Sequence, residues 1–258
     1  SVDSLRNGRI MIGGVQYGST STLMEASSSP AYTSYTLNYT VYPGTPVMME
    51  LRADMYDNDG TDNLSNGDTI IGTIAAGSSN VQKVDSLGTI SAPNATTVAA
   101  NTLTIDDASA TLTKNGTYAN QTVVLPTTNF KVGSWNLAGS STEDILLTTL
   151  SFDVDAVSDV EFAAGDMTNM YVVVKNGATV VAQTSPISTV AAADNNFSIN
   201  YTLAKNTNVS IELFANLADD GSATSIDATD SVKTDLTVTG TAMVSGSAVT
   251  ATSADTDG

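Results

Sequence analysis

Seven oxygen-bearing or turn-forming residues fall within ten positions, Asp54, Asp57, Asn58, Asp59, Gly60, Asp62 and Asn63, directly after an alternating apolar run that starts at Val47. Spaced carboxylate and amide oxygens around a glycine suit a hard cation that takes several oxygen ligands, which points to calcium held by Asp54, Asp57, Asp59 and Asp62. The register is not that of an EF-hand, because with Gly60 as the loop glycine the first-ligand position falls on Met55. A sparser loop, Asp219-Asp220-Gly221 with Asp227 and Asp230 beyond it, offers Asp219 and Asp220 as a second candidate pair. For both loops a solvated turn is the competing reading, since Asp and Asn favour turns for their own backbone hydrogen bonds.

Catalysis finds little to work with. Glu143 with Asp144, or Asp153 with Asp155 and Glu161, could in principle flank a sugar as paired carboxylates. However, Asp153 and Asp155 alternate with Phe152 and Val154, which puts both acids on the outward face of a strand. The chain has no His and no Cys, so no imidazole-activated nucleophile, no thiolate and no His- or Cys-ligated metal is available, and we expect no enzyme. Twenty-seven acidic against nine basic side chains give a net charge of −18, which leaves no basic face for nucleic acid. No apolar run reaches the roughly 18 residues of a membrane span.

The elements that must position these residues read as strands throughout. Alternation is clear in 35–41, 47–53, 145–154, 170–174 and 197–203, and 102–105 and 122–125 are shorter candidates. Pro43-Gly44, Asp59-Gly60, Asn66-Gly67, Asn115-Gly116 and Asn176-Gly177 punctuate the runs, and the last predicts a hairpin because Asn-Gly accepts positive φ. Trp135, between Val132 and Leu137, is expected in a core or an interface. No segment keeps a helical period for three turns. The class is all-β and antiparallel.

An internal repeat organises the chain. Residues 35–55, YTLNYTVYPGTPVMMELRADM, align without a gap on 197–217, FSINYTLAKNTNVSIELFANL, at an offset of 162. The same offset carries Leu5-Arg6-Asn7 onto Met167-Thr168-Asn169 and Ile10-Met11-Ile12 onto Val172-Val173-Val174. Ser1 is in phase with Ala163, so the first copy has no counterpart of 101–162. We therefore expect two tandem antiparallel sandwich domains: 1–100, lacking its N-terminal strands and completed by a partner or by upstream chain, and 101–258, complete.

The runs Phe130-Lys131-Val132, Ser140-Ser141-Thr142-Glu143-Asp144-Ile145, Leu150-Ser151-Phe152-Asp153-Val154, Met167 to Val172 and Asn206 to Ala215 resemble immunoglobulin-like β-sandwich repeats of secreted S-layer-like and filament-forming surface proteins of bacteria and archaea. That resemblance implies an extracellular or cell-surface structural role. The function expected is a subunit of a filament, tubule or surface layer, a head-to-tail homo-oligomer joined by donor strands; the alternative is an adhesin or carbohydrate-binding module, with calcium. Eight Asn-x-Ser/Thr sequons occur, and those at Asn94, Asn115 and Asn120 lie in expected loops, so glycans are further candidate partners.

Overall fold

A computed structural model describes residues 5–25, 31–56, 64–156, 166–219, 221 and 231–253. Sixteen strands and no helix occur among them, and every strand pairing is antiparallel. Among the described residues no helix is long and apolar enough to cross a membrane. The chain divides into two compact units, Ser1–Asp106 and Asp107–Gly258.

The second unit contains β8 (Thr111–Lys114), β9 (Thr127–Ala138), β10 (Ile145–Ala156), β11 (Met167–Asn176), β12 (Thr179–Gln183), β13 (Asn195–Leu203), β14 (Asn208–Leu217), β15 (Val232–Ala242) and β16 (Ala248–Thr252). They make a five-stranded sheet, β12-β11-β14-β9-β8, and a four-stranded sheet, β13-β10-β15-β16. Alternation dictates the packing: Val172, Val174, Ile211 and Leu213 of the first sheet and Leu150, Phe152 and Leu236 of the second are all fully buried in one cluster. Trp135 of β9 lies 5.4 Å from the ring of Phe152 on β10, and Phe152 meets Phe197 of β13 edge-on at 5.9 Å. These rings join the two sheets into a sandwich-like layer pair, and Trp135 is a core residue. Gly133 makes room for it, because a β-carbon there would come within 2.2 Å of the indole.

The first unit contains β1 (Leu5–Ile12), β2 (Val15–Ser21), β3 (Met49–Met55), β4 (Thr69–Ile74), β5 (Val81–Gln82), β6 (Thr89–Ile90) and β7 (Val98–Thr104). Its sheets are β2-β1-β3, β4-β7 and β5-β6. The repeat is visible in the ladder itself. β1 pairs β3 at Leu5↔Met55, Ile10↔Leu51 and Ile12↔Met49, and β11 pairs β14 at Met167↔Leu217, Val172↔Leu213 and Val174↔Ile211, the same partners displaced by the offset. Even the irregularity is shared: the register shifts between Arg6 and Arg9 in one copy and between Thr168 and Tyr171 in the other, with Asn7 and Asn169 both at positive φ.

Two expected strands are not strands. Residues 35–41 run without a ladder, although their counterpart 197–203 lies within β13. The cause is the partner: β13 pairs with β10 alone, and the offset carries β10 to positions before Ser1. A ladder needs a second strand, and among the described residues none pairs with 35–41. Residues 122–125 are also unpaired; Val123 and Leu125 pack against the core of the second unit, and Pro126 removes a donor where a ladder would continue. The expected hairpin at 175–178 forms, with Gly177 at positive φ.

Candidate functional site

The site that the repeat defines is the outer edge of β3 and the segment 35–41. In the second unit β14 is covered on both sides, by β11 and by β9; in the first, β3 has β1 on one side and, among the described residues, no strand on the other. Equivalent side chains therefore differ in burial. Met49 is 44% exposed where Ile211 is fully buried, and Leu51 is 45% exposed where Leu213 is fully buried. Tyr39, Val41, Tyr42, Val47 and Met48 are exposed as well. Tyr17 and Tyr39 meet edge-on at 5.0 Å, so 35–41 lies against the β1–β2 ribbon on that side.

One substitution between the copies shows that the segment is nonetheless seated. A β-carbon on Gly8 would come within 2.5 Å of Leu23 and 2.6 Å of the Tyr35 hydroxyl. In the second copy those positions are Met170 and Phe197, both buried. The tyrosine tip thus takes the space of the missing side chain, and burial pushes the Tyr35 hydroxyl above the ordinary phenol range.

Charge at the edge differs in the same way. Glu212 on β14 is buried, with the Lys131 amino group of β9 at 3.2 Å from Oε1 and that of Lys175 on β11 at 2.5 Å from Oε2. Burial opposes its ionisation, but hydrogen bonds and charge from Lys175 and Lys131 outweigh this and hold it below the ordinary carboxylate range. Glu50, its counterpart, instead accepts from Nε of Arg52 at 2.7 Å along its own strand. The position of Lys175 is occupied by Gly13, and the offset takes that of Lys131 before Ser1.

Of the acids singled out from sequence as cation ligands, Asp54 and Asp219 are among the described residues. Asp54 is the penultimate residue of β3, beside the register shift, accepting from Asn7 Nδ2 at 2.9 Å and from Arg9 at 3.1 Å. Hydrogen bonds from Asn7 and then Arg9 hold its carboxyl below its usual value. Asp219 accepts from the Gly221 backbone N–H at 2.7 Å, a local turn. Asp57, Asp59, Asp62 and Asp220 lie outside the described residues. Among the described residues no three acids gather into a group that could hold a metal ion.

The carboxylates considered for catalysis close loops. Glu143 accepts from the backbone N–H groups of Val244 at 2.5 Å and of Ser245 at 3.0 Å; Asp144 accepts from the Lys205 backbone N–H at 2.8 Å, and Asp153 from that of Asp194 at 2.8 Å. Asp155 lies on β10, and Glu161 lies outside the described residues. Of the loop sequons, Asn94 and Asn120 are exposed, whereas the Asn115 amide donates to Ser134 Oγ at 3.0 Å and its oxygen accepts from Thr117. The open edge of β3 carries no residue-type signature; only the phase of the repeat could have found it. No protein-family model, no curated protein and no solved structure matches the chain.

Proposed function

We propose that the chain is a structural subunit of an extracellular, self-assembling filament, tubule or surface layer, built from two immunoglobulin-like sandwich units of which the first is completed by strands from a partner subunit or from upstream chain. One observation carries this: identical repeat positions are buried beneath β9 and β10 in the second unit and exposed in the first. Side chains such as Leu37, Val47, Met49 and Leu51 keep 37–45% of their surface in water, so completing their burial is worth about 0.5–1.5 kcal/mol each, a few kcal/mol for the four against a domain stability of about 5–15 kcal/mol. An unpaired edge beside exposed apolar residues is a template for a further strand. β-augmentation uses both features at once, main-chain hydrogen bonds for affinity and alternate apolar side chains for fit.

A donor that is engaged by one molecule while its own acceptor engages the next makes a heterologous contact, which propagates and need not close. Electron microscopy of the purified chain at increasing concentration tests this, with extended assemblies expected whether or not a calcium chelator is present. A monodisperse particle at all concentrations would reject it, and one that bound polysaccharide would favour the adhesin reading.

A further inference from the structure

Four Asn-Gly pairs occur in the chain, at Asn7, Asn66, Asn115 and Asn176. We infer that Asn176-Gly177 is a site of spontaneous modification, converting to aspartate and isoaspartate ahead of the other three, and that the isoaspartate form loosens the edge strand β12. The reaction needs only water. The Gly177 nitrogen attacks Cγ of Asn176 and closes a five-membered succinimide; its proton passes through solvent to the departing amide nitrogen, which leaves as ammonia. A water molecule then opens the ring. Attack at Cγ restores the normal main chain as aspartate, whereas attack at the main-chain carbonyl leaves a chain that runs through Cβ and Cγ and is one atom longer.

The fold decides which pair reacts. Ring closure turns the asparagine amide towards the glycine nitrogen, so each hydrogen bond that holds either group slows it by about two- to tenfold. Asn7 donates through Nδ2 to Asp54 at 2.9 Å, and Gly8 backs onto Leu23 and Tyr35. The Gly67 N–H donates to the carbonyl of Ile105 at 2.9 Å, which engages the nitrogen that would attack Asn66. Asn115 donates to Ser134 Oγ at 3.0 Å, and its oxygen accepts from the Thr117 N–H at 3.1 Å and hydroxyl at 2.7 Å. Asn176 is exposed at the last position of β11 and pairs with Thr179, which leaves Gly177-Ala178 as a two-residue turn outside the ladder. Gly177 has a φ of 60° in the first loop position, as a type II′ hairpin demands, and a β-carbon there would meet nothing within 4 Å. Opening of one terminal pair, the least costly motion of a hairpin, brings the reacting groups together.

The extra main-chain atom falls where the sheet is least supported. β12 is the outer strand, paired with β11 alone at Asn176↔Thr179, Lys175↔Val180, Val174↔Ala182 and Val173↔Gln183. Lengthening a two-residue turn spoils the match of the pairs next to it, because loop length sets the register of a hairpin. β14 lies between β11 and β9 and is held on both sides.

The test ages the full chain in mildly alkaline buffer, maps its peptides by mass spectrometry and detects isoaspartate by enzymatic methylation. Asn176 should convert about fivefold or more faster than Asn7, Asn66 and Asn115, whereas in denaturant the four should convert at similar rates, because each is followed by glycine. Amides of 179–184 should exchange about tenfold faster in the isoaspartate form, with 208–217 unchanged. Freshly prepared Asn176→Asp should keep 179–184 as protected as in the parent chain, which separates the added atom from the added charge. A folded chain in which another Asn-Gly pair converts as fast as Asn176 would overturn the assignment of the site. Unchanged exchange at 179–184 in the isoaspartate form, or equal loss of protection in Asn176→Asp, would overturn the effect on β12.

Discussion

Glu212 shows how much of the second unit's cohesion depends on one ionised group. Its folded-state affinity for protons is lowered by Lys175 and Lys131, so its contribution is present above the ordinary carboxylate value of about 4.3 and is lost as pH falls through the lowered folded value. Glu212→Gln should therefore lower stability by on the order of 1–3 kcal/mol at neutral pH, with the difference shrinking below pH of about 4. Denaturant midpoints of the two proteins at both pH values check this; a gap that stayed constant with pH would show that the carboxylate charge is not responsible. Neither the cross-strand lysine pairing of Glu212 nor its replacement by Arg52 at Glu50 is legible from residue type, because the two glutamates have the same apolar flanks. Their difference lies in which strands run alongside. Asp54 makes a related point: sequence places it in an acidic run, while its hydrogen-bond partners, Asn7 and Arg9, come from a strand more than forty residues earlier.

Among elements, the β1–β3 and β11–β14 pairs give the clearest correspondence between sequence and ladder. Apolar alternation at 10–12, 49–55, 170–174 and 209–217 sets which face is buried, and a period of two leaves no freedom to slip without turning every side chain over. The shared kink is not apparent from alternation, since it depends on Asn7 and Asn169 entering the left-handed region, where asparagine is better tolerated than other side chains. Asn169→Ala should cost about 1–2 kcal/mol, and Asn169→Gly much less. Equal losses for both, measured by thermal or denaturant unfolding, would place the asparagine's role in its side-chain contacts. The segment 35–41 marks the limit of what pattern alone can say. Its sequence carries the strand signal in full, and its counterpart is a strand, yet a strand exists only as one member of a pair. Residues 122–125 make the same point, because their alternation is satisfied by laying Val123 and Leu125 on the core without any ladder.

At the scale of the whole molecule, the acidic excess and the open edge act against each other. A net charge of −18 makes copies of the chain repel as they approach, while the contacts proposed to complete the first unit are apolar and main-chain in kind. Salt shortens the range of the repulsion, to about 8 Å at physiological ionic strength, and leaves burial of Met49, Leu51 and Val47 nearly untouched. Salt also weakens any exposed ion pair at such a contact, but exposed pairs contribute only about 0–1 kcal/mol, against a field generated by all the acids together. Repulsion is the larger quantity. The concentration at which the chain begins to assemble should therefore fall as salt rises from roughly 0.02 M to roughly 0.5 M, over which the screening length shortens several-fold. Light scattering across a dilution series at each salt concentration measures it. A threshold that rose with salt would mean that charge attraction, and not strand pairing with apolar burial, holds the subunits together, and it would direct the search for the contact away from β3 and towards the acidic loops.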